Sequence, residues 1–162
     1  MVIVVMGASG SGKTTVGRAL ANAVQAEFRD ADEFHTQDSI EKMARGVPLT
    51  DDDRAPWLDA LRELIDERRT RPGTLVLACS ALTRWIRRRL GLDRDGVHVV
   101  HLEGSETLLA RRMRERRPRH FMPPELLASQ LALLERPRRA LVLDAAQPVD
   151  QLVAEIRHAL SL

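Results

Sequence analysis

The sequence predicts an α/β protein, a parallel sheet covered by helices on both faces to make three layers. Three observations predict it. Val2–Met6 is a continuous apolar run rich in valine and isoleucine, the pattern of a strand buried on both sides. A glycine-rich turn follows at once, and a helical pattern follows the turn. Apolar runs then alternate with amphipathic stretches to the end of the chain, as in strand–helix–strand units with right-handed crossovers.

Each element has its own signal. The first helix should run from about Lys13 to Val24, with a short strand near Glu27–Asp30. Ser39–Arg45 reads as a short helix closed by Gly46 and Pro48. Thr50 or Asp51 can cap a longer helix to about Arg69, with Pro56 tolerated in its first turns. Arg71-Pro72-Gly73 is a turn, and Thr74–Cys79 reads as another buried strand. A helix over Leu82–Leu90 and a strand over Val97–Leu102 come next. Ser105 can cap a helix reaching about Arg117, and a further helix spans about Glu125–Glu135. Leu141–Asp144 is the last strand and Val149–Leu160 the closing helix. Between the helix ending near Arg117 and the one beginning near Glu125, Pro118, Pro123 and Pro124 break an arginine-rich segment. Residues 116–124 are therefore expected to leave the core as a mobile lid.

Composition sets the outer limits. A chain of 162 residues suits one domain, 1–162, with a sizeable core. The hydrophobic fraction of 44% and charged fraction of 30% are those of a soluble globular protein. No apolar run approaches the roughly 20 residues of a membrane helix, and no secretory leader precedes the first strand, so the expected location is cytoplasmic with no membrane partner. The single cysteine, Cys79, excludes an internal disulfide. Lys13 and Lys42 are the only lysines among 25 basic residues, so the cations are nearly all arginine, densest from Arg111 to Arg119. With aromatics at 3%, no tyrosine and no base-reading motif, nucleic acid is not expected as a partner.

Chemistry is concentrated in two places. Gly7-Ala8-Ser9-Gly10-Ser11-Gly12-Lys13-Thr14 fits G-x-x-x-x-G-K-[ST] without a mismatch, between a strand and a helix. Glycines let such a loop curl so that successive N–H groups point inward at phosphate oxygens. Lys13 adds a point charge near the β- and γ-phosphates of a bound nucleotide, and the Thr14 hydroxyl can reach Mg²⁺. Thr15 continues into the helix, whose positive end faces the same anion. The third glycine of a dinucleotide fingerprint is missing. The second place is Asp30-Ala31-Asp32, where the second strand should end. Period-two geometry puts both carboxylates on the same side. One acid could orient an acceptor hydroxyl and take its proton while the other reaches magnesium through water.

The chain resembles the gluconate kinases of the small P-loop type, relatives of shikimate kinase and adenylate kinase. Besides Gly7–Thr14, the likeness rests on Asp32-Glu33-Phe34-His35 and on the stretch from Ile40 to Leu58, with its Lys42-Met43, Gly46, Pro48-Leu49, Asp51, Asp53-Arg54 and Pro56-Trp57-Leu58. It extends through Cys79-Ser80-Ala81-Leu82, His120-Phe121-Met122 and Leu127-Ala128-Ser129-Gln130. The family's usual Pro and Asn after the histidine are Thr36 and Ser39 here, and its Lys and Tyr after Leu82 are absent.

The resemblance implies a five-stranded parallel sheet in the order 2-3-1-4-5, a lid, and transfer of the γ-phosphoryl of MgATP to the 6-hydroxyl of D-gluconate. It implies that Asp32 receives the hydroxyl, that Arg54 faces the substrate carboxylate, and that His35, Ser80, Arg87 and His120 line the acceptor side. Arg112 would lie against adenine and Arg116 would touch the transferred phosphate. With Lys13 and Asp32, Arg116 completes the expected catalytic set. Thr14 and Asp30 are the expected metal-side pair. The family tends toward homodimers, although no interface patch is legible in this sequence. Two other readings stay open: a related small-metabolite kinase acting on another hydroxy acid or sugar, and a nucleotide-binding module without turnover.

Among the remaining residues, Trp57 falls at helical spacing with Leu58, Leu61 and Leu64 and is expected in the core. Cys79 should be a packed thiol, Asp51–Asp53 a helix N-terminus, and Arg87-Arg88-Arg89 mostly a solvated face.

Overall fold

The computed structural model describes residues 1–115 and 126–162. Five parallel strands form one sheet in the order β2-β3-β1-β4-β5, as expected. They are β1 (Val2–Met6), β2 (Glu27–Asp30), β3 (Leu75–Ala78), β4 (Val97–Glu103) and β5 (Leu141–Asp144). The helices are α1 (Lys13–Ala23), α2 (Gln37–Ala44), α3 (Asp51–Thr70), α4 (Arg84–Leu90), α5 (Glu106–Glu115), α6 (Leu126–Leu133) and α7 (Val149–Leu160). β1 pairs with β3 on one side and β4 on the other, with Val4 opposite both Leu77 and Val99. Chain direction across the sheet therefore reverses at β1, and a crevice opens beyond its C-terminal end.

Alternation along β1 divides the core. Val2, Val4 and Met6 pack with Leu75, Leu77, Trp57, Leu58, Leu61 and Ile65 beneath α3 and α4. Ile3 and Val5 face the other way, onto Val16 and Leu20 of α1 and Leu152 and Ile156 of α7. A third cluster is small. Ala8, Leu109, Met113 and Leu127 join the turn after β1 to α5 and α6.

Two helix starts and the path after β2 depart from the sequence reading through a side chain that claims a backbone N–H. α2 starts at Gln37 rather than Ser39 because the Thr36 hydroxyl accepts from Ser39 N at 3.2 Å. α4 starts at Arg84 rather than Leu82 because Thr83 caps it, accepting from Ile86 N, and Ala81 before it has φ 43°. The chain after β2 does not stay extended. Asp30 accepts from Asp32 N at 3.2 Å and turns Ala31–Phe34 into a 3₁₀ turn. The same-side argument for the two aspartates therefore fails, because they stand on different elements.

α3 begins in a capping box. Thr50 Oγ1 accepts from Asp53 N at 3.2 Å, and Asp53 Oδ2 accepts from Thr50 N at 2.9 Å. Lys42 of α2 donates to Asp53 Oδ1 at 2.6 Å. That bond, helped by the Thr50 amide and hydroxyl, holds the Asp53 carboxyl at about 2 against an ordinary 3.8. A depressed carboxyl stabilises the fold above its unfolded-state value and loses that contribution as pH falls toward the folded one. Asp53→Asn should therefore flatten the stability curve between pH 3.8 and about 2, read as urea midpoints across that range.

Candidate active site

The turn after β1 wraps the end of the sheet. Gly10 has φ 81°, and a Cβ there would sit 2.6 Å from the Leu109 carbonyl of α5, so only glycine fits. Gly12 opens α1 in the left-handed region, φ 94°, with no side-chain cap. The first N–H groups of α1 thus receive nothing from their own N-cap and face the turn, an arrangement suited to an anion. Lys13 Nζ donates to the Ala8 carbonyl at 3.1 Å, bridging the turn.

Thr14 and Asp30 meet across two elements. Thr14 Oγ1 donates to Asp30 Oδ2 at 2.8 Å, while Asp30 Oδ1 holds the 3₁₀ turn through Asp32 N. The end of β2 is thereby fixed to the start of α1. Asp32 is left on the exposed side of the turn, next to His35. The His35 ring stacks on Trp57 at 4.8 Å with 5° between planes, and Trp57 Nε1 donates to the Ala31 carbonyl at 2.7 Å. Trp57 is 5% exposed, so it is core, as its spacing indicated. Burial lowers the His35 pKa; Asp32 opposes that shift and Arg54 adds to it. His35 Nδ1 is buried and has no hydrogen-bond partner among the described residues. Arg54, in the first turn of α3, pairs with Asp51 at 3.2 Å. Asp32, His35 and Arg54 thus share one electrostatic neighbourhood, and Ser80 stands at the neighbouring strand end, after β3.

Arg87, one of the residues expected to line the acceptor side, is held by backbone carbonyls. It is 9% exposed, with Nη1 donating to the Ala81 and Leu82 carbonyls at 2.8 and 2.9 Å and Nη2 to the Glu135 carbonyl at 2.8 Å. Those carbonyls are exposed to the guanidinium by the left-handed turn at Ala81 and by the chain after α6, so Arg87 acts as a clamp between the two. Arg88 and Arg89 are solvated as expected. Cys79 is wholly buried, and desolvation pushes its thiol up to about 12, well away from a nucleophile's range. Arg116, His120 and the candidate lid at 116–124 lie outside the described residues.

On the far side of the turn, a cavity of about 180 Å³ lies against Ser11, Gly12 and Thr15. Arg112 of α5 forms one wall, and Ala145, Gln147 and Val149 of the β5–α7 loop form another. Gln147 Oε1 is buried without a partner among the described residues. Arg112 was expected near a nucleotide from its arginine pair; the β5–α7 loop was not. Its residues carry no charge or spacing signal, and only the fold brings them to Gly12.

The site thus has a phosphate cradle, an acid-bearing turn on one flank and a cavity on the other. Comparison with known proteins agrees with this arrangement. The AAA domain family matches residues 2–141. A gluconokinase of Gluconobacter oxydans is 46% identical over 83% of this chain and 75% of its own length. The chain belongs to the gluconokinase family. A probable gluconokinase of Dictyostelium discoideum is 39% identical over 96% of this chain and 84% of its own. The crystal structure of a gluconokinase from Sinorhizobium meliloti superposes with a TM-score of 0.84 at 45% identity, covering 98% of this chain and 90% of that one. Gluconokinase-family membership makes the chain a P-loop kinase that uses ATP.

The Arg87 clamp has a measurable consequence. Removing the guanidinium strands buried carbonyls, each costing about 1–3 kcal/mol. Arg87→Ala should lower stability by about 3 kcal/mol while leaving the KM for the acceptor within about twofold. Arg87→Lys should recover little, because one ammonium does not span two separate carbonyl groups as a planar fork does. Urea unfolding of the three proteins beside steady-state kinetics checks this.

Proposed function

We propose that the chain transfers the γ-phosphoryl of ATP to the 6-hydroxyl of D-gluconate, releasing ADP and 6-phospho-D-gluconate. Gluconate as acceptor is supported by the relatives' identity over most of the chain. Phosphoryl transfer at this site is supported by one observation above the others: the 2.8 Å bond from Thr14 to Asp30, which fastens the acid-bearing turn to the phosphate loop. A donor phosphate on the cradle and an acceptor beside the turn would then be neighbours.

In this reading the N–H groups at the start of α1 and the Lys13 ammonium hold the phosphates. Asp32 orients the acceptor hydroxyl and takes its proton as the phosphorus–oxygen bond forms. Arg54, freed from its exposed pair with Asp51, meets the gluconate carboxylate, and half-buried His35 accepts or donates a hydrogen bond along the polyol. The adenine base fits the cavity between Arg112 and Gln147. Thr14 and Asp30 are hard oxygen donors beside the phosphates, few in number, which suits Mg²⁺ with its retained waters. Bound there, the ion neutralises charge on the phosphate oxygens. A cytoplasmic location suits a user of ATP, and no helix among the described residues is long and apolar enough to cross a membrane.

The deciding experiment is coupled ADP release over a panel of gluconate, other sugar acids, shikimate and nucleoside monophosphates. Turnover should be greatest with gluconate. Preference for another hydroxy acid would move the chain to a sister activity, and ATP binding without turnover on any acceptor would leave a nucleotide-binding module.

The two aspartates are separable by the same assay. Asp32→Asn should lower kcat by about a hundredfold or more with little change in ATP affinity. Asp30→Asn loosens the Thr14 contact and should raise the Mg²⁺ concentration needed for half-maximal rate. If Asp30→Asn is the variant that loses kcat at saturating magnesium while Asp32→Asn is mild, the roles are reversed.

A further inference from the structure

Gln130 lies on α6, only 8% exposed, and its Oε1 accepts a hydrogen bond from Ser9 N at 2.8 Å across 121 residues of sequence. Ser9 is in the middle of the phosphate loop. Around the bond, Leu127 of α6 and Leu109 and Met113 of α5 pack on Ala8. A buried amide placed against a backbone N–H of this loop constrains more than the seat of a helix. The Ser9 N–H and the Ala8 carbonyl belong to one peptide unit, and a planar trans peptide points them in opposite directions. With the N–H held toward α6, the Ala8 carbonyl must face the interior of the loop. There it accepts from Lys13 Nζ at 3.1 Å and from Ser11 N at 3.2 Å.

We infer that Gln130 is a positioning residue for phosphoryl transfer: by fixing the plane of the Ala8–Ser9 peptide it sets where the Lys13 ammonium rests. The inference depends on the proposed role of Lys13 at the phosphates. Without the Gln130 oxygen, the Ala8–Ser9 peptide loses one of the bonds that fix its plane, and the carbonyl that accepts from Lys13 Nζ is held less firmly. A side chain of similar size without an acceptor removes the bond to Ser9 N.

The test uses Gln130→Met, Gln130→Glu, Lys13→Ala and the Lys13→Ala/Gln130→Met double variant. Kinetics, thermal midpoints and calorimetric binding of a non-hydrolysable ATP analogue are measured for each. Gln130→Met should lower kcat about tenfold, with the KM for gluconate within about twofold and the melting temperature nearly unchanged. Gln130→Glu keeps an acceptor for the Ser9 N–H and should recover most of kcat, although its charge weakens ATP binding. In the Lys13→Ala background, Gln130→Met should cost no further analogue affinity, because the two residues act as one unit. Unchanged kcat in Gln130→Met overturns the inference. So does an additive loss of affinity in the double variant, or a loss of rate that follows a falling melting temperature and is not recovered by glutamate. A Lys13→Ala enzyme with full turnover overturns instead the role of the phosphate loop, and is distinguishable because it does not involve Gln130.

Discussion

The N-terminus of α1 has no cap of its own, and the rest of the site is arranged around that fact. Gly12 carries no side chain and sits in left-handed backbone, so the first turn of α1 offers its N–H groups to whatever lies in the loop. A helix end of this kind is tolerable only where an anion or water can reach it. The sheet supplies the place: β1 is central, and its C-terminal end is where the neighbouring connections part to opposite sides. The walls follow. β2 contributes Asp30 on one flank, and α5 with the β5–α7 loop contributes Arg112 and Gln147 on the other. Two of these walls touch the loop directly: Asp30 bonds Thr14, and the Leu109 carbonyl of α5 lies so close to Gly10 that a Cβ there would sit 2.6 Å from it.

The features legible in the sequence were those whose cause is local. β1 and its glycine turn are readable because an apolar run and a spaced glycine motif each act within a few residues. The sheet order was carried by family resemblance and agrees in every pairing. Local signals failed where a side chain reached out of its own segment. Asp30 looked like the last residue of a strand followed by a second acid in register. Its carboxylate instead caps the 3₁₀ turn and takes the Thr14 hydroxyl, so the strand ends at Asp30 as expected and the alternation does not carry on to Asp32. Arg87 stood first in a run of three arginines, and nothing in that run distinguishes it. What buries it is a left-handed residue six positions back and a carbonyl 48 residues ahead, neither of which carries a sequence signal. The cavity beside Gly12 was invisible for a related reason: its lining comes from α1, α5 and the β5–α7 loop, and is assembled only by the crossovers.

The acceptor flank shows how substitutions near a site can be absorbed without entering it. Thr36 and Ser39 replace the proline and asparagine usual in the family. Thr36 caps α2 and its hydroxyl donates to Ser39 Oγ at 3.0 Å; Ser39 Oγ in turn donates to the Asp53 carbonyl at 3.3 Å. Both residues therefore tie α2 to the start of α3. Lys42 makes the same connection through the Asp53 side chain. The tie matters for Arg54, which follows Asp53 directly and takes its direction from the first turn of α3. It matters equally for Trp57, one turn further on, whose indole holds the Ala31 carbonyl and supports the His35 ring. A chain of contacts thus runs from Thr36 through α3 back to His35. Changes at 36 and 39 therefore act on the start of α3 and, through Trp57, on the turn at Ala31 that carries Asp32.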